Sequence, residues 1–406
     1  MCKKSNVSRR TFLKLAGAGT LSAALSGSII PGTIKHAFAA GNRPILIVLD
    51  FSGGVSNNIM PYTHAAYMNR MQGIFPGGNL TLGSAPQKLH PALASLYPIF
   101  QDGDMAVYNK VGYPNPNRSH AESHDIIWSG KRQGNNAAAG WGAALNCNLE
   151  SNVLGAVSAA GLNTFSRGEC SLPSVGDVDN FGSRSFWGSN NTKHLNDLRR
   201  NLIFDSAPAA NPGETFLRNE IVSMEETVRM IQQSVSNINL PISFPNTGLG
   251  RQMENVAKLI ASPLNTCLFY TNKGGFDTHS GEAARLNNLL QEVGGALDAL
   301  IQFLKLRGEW NNTIIITMTE FFRTFVNGSG GTDHGHAGPL FAMGGRVQGG
   351  VKTPPPSEAE TNAANGFYRE HTVDFRDVYS AAIRAMGIDP GTIFTESYQK
   401  TTLDLI

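Results

Sequence analysis

The stretch Ile45-Leu46-Ile47-Val48-Leu49-Asp50 decides how the chain folds. Five consecutive apolar residues are short for a buried helix and too continuous for a half-exposed strand, so they read as a strand covered on both faces. The run stops at Asp50 and passes into Ser52-Gly53-Gly54. Working outward, Met105–Tyr108 is a second short run, leading into the loop 112–117. Cys267-Leu268-Phe269-Tyr270-Thr271 is a third, followed by Gly274-Gly275-Phe276-Asp277-Thr278-His279. Leu286, Leu289, Leu290, Val293, Leu297, Leu300, Ile301 and Leu304 then recur at three- and four-residue spacing, which predicts a helix over 282–306. After a turn at Asn311-Asn312, Ile314–Met318 ends at Thr319-Glu320, and Leu340–Met343 follows a glycine-rich loop holding Asp333-His334-Gly335-His336. A last helix is expected over about 377–386. This alternation predicts an α/β, three-layer sandwich with a mostly parallel central sheet.

Asp50, the Asp277/His279 pair and Glu320 each follow the end of an apolar strand. Ligands of open parallel sheets bind at that edge, so these acids and the histidines of three short motifs (His120 and His124, His279, His334 and His336) are expected to converge on one metal or catalytic centre. Asp277 and His279 are two apart, as are His334 and His336, so each pair points one way in an extended segment. Mixed oxygen and nitrogen ligands suit zinc, manganese or iron better than calcium. Six or seven of them suffice for one or two divalent ions, the arrangement that clamps both oxygens of an in-line displacement at phosphorus.

The 406 residues carry 33 basic and 31 acidic side chains, a formal charge of +2 with no nucleic-acid signature. Ordinary apolar content and the lack of a three-residue glycine period exclude disorder and collagen. The slight basicity belongs to residues 1–39, which hold six Lys and Arg and no acid. Without them 27 basic face 31 acidic residues, a formal charge of −4. The run 15–30 is short and glycine-containing for a membrane span, and Ala37-Phe38-Ala39 offers a signal-peptidase site after Ala39. The expectation is a leader over 1–39 and one domain over 40–406, exported to the periplasm or another extracytoplasmic space. Within that domain about 132–250 is read as an insertion or cap over the strand ends. Three cysteines remain, enough for one disulfide, and an oxidising compartment allows Cys147–Cys170.

Ser8-Arg9-Arg10-Thr11-Phe12-Leu13-Lys14 resembles the complete twin-arginine export motif, with Arg9 and Arg10 as its pair. Gly274–His279, Thr319–Thr324 and Gly330–His336, with Tyr113–His120 and Gly140-Trp141-Gly142, resemble the signature blocks of an exported bacterial family, domain of unknown function 1501. That family is grouped with the alkaline-phosphatase-like superfamily of phosphatases, sulfatases and cofactor-independent phosphoglycerate mutases. The resemblance implies that fold over about 43–387. It implies Asp50, Asp277, His279, Glu320 and His336 as metal ligands, with Asp333 and His334 available in space. By counting back from Ser129-Gly130, the superfamily's nucleophile falls on Ser119 or His120. Ser119 is chemically the better nucleophile, and it also suits the N-cap of a helix 120–129. The chain departs from the pattern at Phe321, where the superfamily has a ligand histidine. It departs again at Phe322 and at Val55-Ser56-Asn57-Asn58, which replace a glycine and an aspartate of the family.

Two functions compete. The first is an exported metal-dependent hydrolase of phosphate or sulfate esters, small-molecule or glycan, delivered by the twin-arginine machinery. The second is a non-catalytic envelope binding or assembly protein that keeps the fold and works with an exported partner. A third idea, carbohydrate recognition through Trp128, Trp141 and Trp187, rests on aromatic content alone.

Overall fold

Ile45–Leu49 lies within strand β1 (Ile45–Phe51), and no residue of that strand is more than 1% exposed in this computed structural model. The structure describes residues 43–131, 139–149, 154–179, 228, 230–396, 398 and 402–406. The expected leader, its Arg9-Arg10 pair and Ala39, and Trp187 lie outside the described residues. After β1 the chain forms helices α1 (Ala65–Arg70) and α2 (Tyr97–Gln101), strand β2 (Met105–Gly112), helices α3 (His120–Ser129) and α4 (Trp141–Asn148), and strand β3 (Ala156–Ser158). Then come α5 (Gly248–Ala261), β4 (Leu268–Lys273), α6 (Glu282–Arg307) and β5 (Thr313–Met318). A hairpin of β6 (Arg323–Val326) and β7 (Thr332–His334) precedes β8 (Gly338–Met343), β9 (Gly350–Val351), α7 (Glu358–Ala363), β10 (Val373–Asp374) and α8 (Phe375–Ala385).

Eight strands make one sheet in the order β10-β2-β8-β5-β1-β4-β3, with β9 pairing β2 as well. β1 runs parallel to β4 and β5, matching Leu46 with Leu268 and Ile314. The fold class is therefore α/β with a mostly parallel central sheet. β8 alone runs against its neighbours, β2 and β5. The chain passes from β5 to β8 through a hairpin rather than a crossover helix, so it re-enters the sheet from the edge it has just left. β1, β5 and β8 are buried along their whole length, which makes the sheet a middle layer with both faces covered.

Helix α6 ends where Gly308 takes a left-handed φ of 73°, close to the expected boundary. Helix α8 begins at Phe375, two residues earlier than the sequence suggests, because Asp374 caps it by accepting from the Arg376 N–H. Asp374 also grips the Arg376 guanidinium at 2.8 and 2.7 Å. Within 132–250, the short β3 adds an edge strand beside β4, and Cys147 is bonded to Cys170. Among the described residues no helix is long and apolar enough to cross a membrane.

Candidate metal centre

β1, β4 and β5 run parallel, and β2 shares their direction because both it and β5 oppose β8. Their carboxyl ends lie along one edge, and β8 starts there. The segments after those ends therefore meet: Asp50 from β1, Asp277 after β4, Glu320 after β5, His120 and His124 after β2, and His334 from the hairpin before β8.

The centre is built around Asp277 Oδ1. His279 Nε2 lies 2.9 Å from it, His334 Nε2 3.2 Å and His120 Nε2 3.5 Å. His120, Asp277 and His334 each bring one ligand atom within 4.8 Å of the others. The other ring nitrogens settle the proton positions. His120 Nδ1 donates to Glu320 Oε1 at 2.8 Å, His279 Nδ1 to Asp333 Oδ1 at 2.7 Å, and His334 Nδ1 to the Arg118 carbonyl at 2.8 Å. Carboxylate and carbonyl oxygens only accept, so each Nδ1 carries a hydrogen and Nε2 is the ring atom turned toward Asp277. Three imidazole Nε2 atoms and a carboxylate oxygen then face one another, His279 and His334 Nε2 only 3.1 Å apart. Nitrogen and oxygen atoms gathered in this way make a donor set for a cation, and the Nδ1 partners are of the kind that orient metal-bound histidines. The residues present therefore fit a divalent ion with nitrogen and oxygen ligands.

A second pocket of polar atoms adjoins it. Glu320 is fully buried; its Oε1 also accepts from the Gly53 N–H at 2.7 Å, and its Oε2 lies 3.3 Å from His124 Nε2. Asp50 is equally buried, and its Oδ2 accepts from Tyr270 at 2.6 Å and Trp128 Nε1 at 2.9 Å. Its Oδ1, like His120 Nε2 and His124 Nε2, has no hydrogen-bond partner among the described residues. A buried orphaned carboxylate oxygen is costly unless something positive meets it. Burial pushes the Asp50 carboxyl up to about 6. Burial also pushes Glu320 up, but the imidazoles of His120 and His124 more than reverse this and hold it well below the usual range. Burial raises Asp277 too, and Arg323 outweighs it, so that carboxyl stays ionised more readily than usual.

Arg323, 1% exposed, locks this arrangement from behind. Its Nη1 donates to Asp277 Oδ1 at 2.7 Å and to the Gly53 carbonyl at 2.9 Å, and its Nε donates to Thr332 Oγ1 at 2.9 Å. Thr332 in turn donates to the buried Glu282. Gly53 has a φ of 118°, and a Cβ there would sit 2.4 Å from the Asp277 backbone nitrogen, so only glycine allows the β1 loop to approach so closely.

The expected residues take different places. Asp50, Asp277, His279, Glu320, His334 and His120 are gathered in the two adjoining pockets. Asp333 is exposed and engages His279 Nδ1 and Asn327. His336 is buried elsewhere: its Nε2 accepts from the Tyr113 N–H at 3.0 Å and its Nδ1 donates to the Arg369 carbonyl at 2.9 Å, and burial lowers it to about 4. Ser119 is exposed at the N-cap of α3, where its side chain makes no capping hydrogen bond. Phe321, at the departure from the superfamily pattern, is buried with its ring 5.1 Å from that of His120 and 4.8 Å from that of His334. It forms an apolar wall of the centre. Asn58, at the other departure, is buried and donates to the Ile74 carbonyl, so that loop is anchored to the fold. Of the three tryptophans, Trp141 is in the core and Trp128 holds Asp50.

Sequence reading placed His124 among the converging histidines without giving it a role as ligand, and did not assign Trp128, Tyr270 or Arg323 to the centre. His124 and Trp128 had a signal: they follow His120 at four-residue steps on one face of α3. Tyr270 and Arg323 had none, since each meets its partner only across the sheet edge.

A family model described as "Protein of unknown function (DUF1501)" matches residues 266–402, about a third of the chain. No curated protein matches. Among solved structures, the chain is similar to Ps i-CgsB in complex with k-i-k-neocarrahexaose, at 10% identity and a TM-score of 0.43, over 86% of this chain and 73% of that one. It is similar to the PsFucS1 sulfatase from Pseudoalteromonas sp., at 12% identity and a TM-score of 0.37, over 86% and 68%. A protein of the alkaline phosphatase superfamily from Vibrio parahaemolyticus aligns at 12% identity and a TM-score of 0.38, over 88% and 71%.

Proposed function

We propose that this chain is an exported, metal-dependent hydrolase of phosphate or sulfate esters on an alkaline-phosphatase-like fold. The observation that carries the reading is the convergence of three inward-facing Nε2 atoms on Asp277 Oδ1, each held by an acceptor at its Nδ1. His120, Asp277, His279 and His334 would hold one ion, and Asp50, His124 and Glu320 a second. Zinc, manganese or iron suits these donors. Asp333 orients His279, and His336 keeps its backbone partners.

When bound, a divalent ion supplies positive charge for the oxygens of the transferring group. The protein's residues do the rest. Ser119 presents an exposed hydroxyl that makes no capping bond at the N-terminus of α3, where the helix dipole favours an anion, and serves as the attacking group. His120, next to it, is fixed by Glu320. Phe321 excludes water from the histidine side, and Arg323 keeps Asp277 in place. The Cys147–Cys170 disulfide suits an oxidising compartment, in keeping with the leader that resembles a twin-arginine signal.

Elemental analysis of protein exported in its folded form tests the reading. Near-stoichiometric transition metal is expected, and its absence from protein never exposed to chelator overturns it. Ser119→Ala is expected to abolish turnover of aryl phosphate or aryl sulfate while metal content stays unchanged.

Phe321 and the arginine on Asp277 favour a second reading, a non-catalytic envelope binding or assembly protein on the same fold. No turnover across an ester panel, together with co-purification with an exported partner, selects it.

A further inference from the structure

Beside the centre stands a pair of arginines that no acid among the described residues neutralises. Arg118 ends the loop before α3 and is tied to the centre through His334: it accepts from His334 Nδ1 at 2.8 Å and donates from Nη1 to the His334 carbonyl at 3.4 Å. Arg369 is tied in turn by its carbonyl, which accepts from the buried His336. Both guanidiniums rest on one ring: each central carbon lies 5.1 Å from the centroid of Phe367. They are therefore no more than about 10 Å apart, and the shared ring restrains both by cation–π attraction. Both side chains are exposed, and neither forms an ion pair among the described residues. Glu370 follows Arg369 in the chain without pairing with it, and Glu122, the acid nearest Arg118 in sequence, accepts from Asn117 instead.

Two like charges within about 10 Å of each other, with backbones pinned and no ion pair among the described residues, are arranged for an anion. The planar guanidinium fork matches carboxylate and sulfate oxygens two at a time. Beside Arg118 opens a cavity of about 440 Å³, lined by Pro114, Asn115, Pro116, Asn117, Glu122 and Ile126. Amide and carboxylate groups there suit hydroxyl groups, as a sugar offers. The formal charge of −4 outside the leader argues against a nucleic-acid strand.

We propose that Arg118, Phe367 and Arg369 form a subsite for a second anionic group of the substrate, and that the substrate is an ester on an acidic oligosaccharide bearing further sulfate or carboxylate groups. The proposal rests on the hydrolase reading for the position of the scissile ester, but its binding step does not.

Binding is read by titration calorimetry on the full mature protein, without turnover. Three oligosaccharides of equal length are compared: one sulfated, one carrying only uronic acid carboxylates, and one neutral. The expected result is that at least one acidic sugar binds about tenfold or more tightly than the neutral one, weakening as salt rises. Whichever acidic sugar binds more tightly identifies the anionic group. Arg369→Gln is expected to lower that affinity about tenfold, the loss of one charge-assisted contact. Arg369→Lys should recover part of it, and Phe367→Ala should weaken binding although it removes no charge. Equal binding of acidic and neutral sugars, or unchanged affinity in an Arg369→Gln protein that melts like the wild type, overturns the proposal. A protein that binds acidic sugars through Arg369 but contains no metal keeps the subsite and overturns the hydrolase reading. A metalloenzyme indifferent to Arg369 does the reverse.

Discussion

Asp277 Oδ1 accepts from a buried guanidinium on one side and faces three imidazole nitrogens on the other. Arg323 is the residue that makes this tolerable, because it also lies beside the buried Glu282 through Thr332. Replacing it by glutamine removes the charge facing the half-exposed Asp277 and the buried donors to Gly53 and Thr332, and is expected to destabilise the fold by about 1–3 kcal/mol, read by urea unfolding. Arg323→Lys keeps the charge but loses the forked contacts to Gly53 and Thr332, so it should fall between wild type and glutamine. An Arg323→Gln protein as stable as the wild type would show that the guanidinium carries no such load. At this scale the sequence exposed the candidate ligands Asp50, Asp277, His279 and Glu320, which follow apolar runs, and His334 in the glycine-rich loop before β8. It did not expose Arg323 or Tyr270. The Tyr270 hydroxyl reaches Asp50 across 220 positions of chain, and no local spacing encodes such a contact. His336 misled for a related reason: its spacing from His334 suggested a shared target, yet the chain between β7 and β8 turns it toward Tyr113 and Arg369.

Short elements carry their own dependence on conditions. His90 caps the turn 91–96 by accepting the Ala92 N–H at Nδ1, and burial lowers its pKa to about 4. The ring is neutral in the fold, whereas the unfolded chain takes up the proton below about 6.5. Its contribution to stability is thus complete above pH 6.5 and lost as pH falls from there toward 4, by about 3 kcal/mol. His90→Asn keeps an acceptor at the cap without titrating, so its unfolding free energy should fall less steeply across that window. Parallel slopes for the two proteins would contradict the assignment. The disulfide acts on a neighbouring element, joining α4 to the segment around Cys170 across 23 positions. Opening it in a Cys147→Ser, Cys170→Ser protein is expected to cost about 3 kcal/mol, measured by chemical denaturation. Strands and long helices were legible here from apolar periodicity, and the capped start of α8 was displaced by two residues because Asp374 supplies a cap that periodicity does not report. The edge position of β3 was not legible, since three residues are too few to show a pattern.

At the scale of the molecule, the parallel strands deliver distant loops to one edge, and folding forces their donors together whether or not an ion is present. An ion that binds only the folded state then stabilises the whole domain by mass action, by about 2.7 kcal/mol at a hundredfold excess over its Kd. Chelation is expected to lower the melting temperature, and zinc or manganese to restore it. A melting temperature indifferent to both would contradict the centre. The sequence by itself determined the α/β class, the buried strands and the acids that end them, because burial on both faces demands unbroken apolar runs and makes any polar residue at their ends conspicuous. Only the tertiary structure decided which histidines share a target, which nitrogen of each faces it, and which arginines stand beside it. Those are relations between side chains far apart in the chain, and they exist only once the sheet has set the distance and direction between its loops.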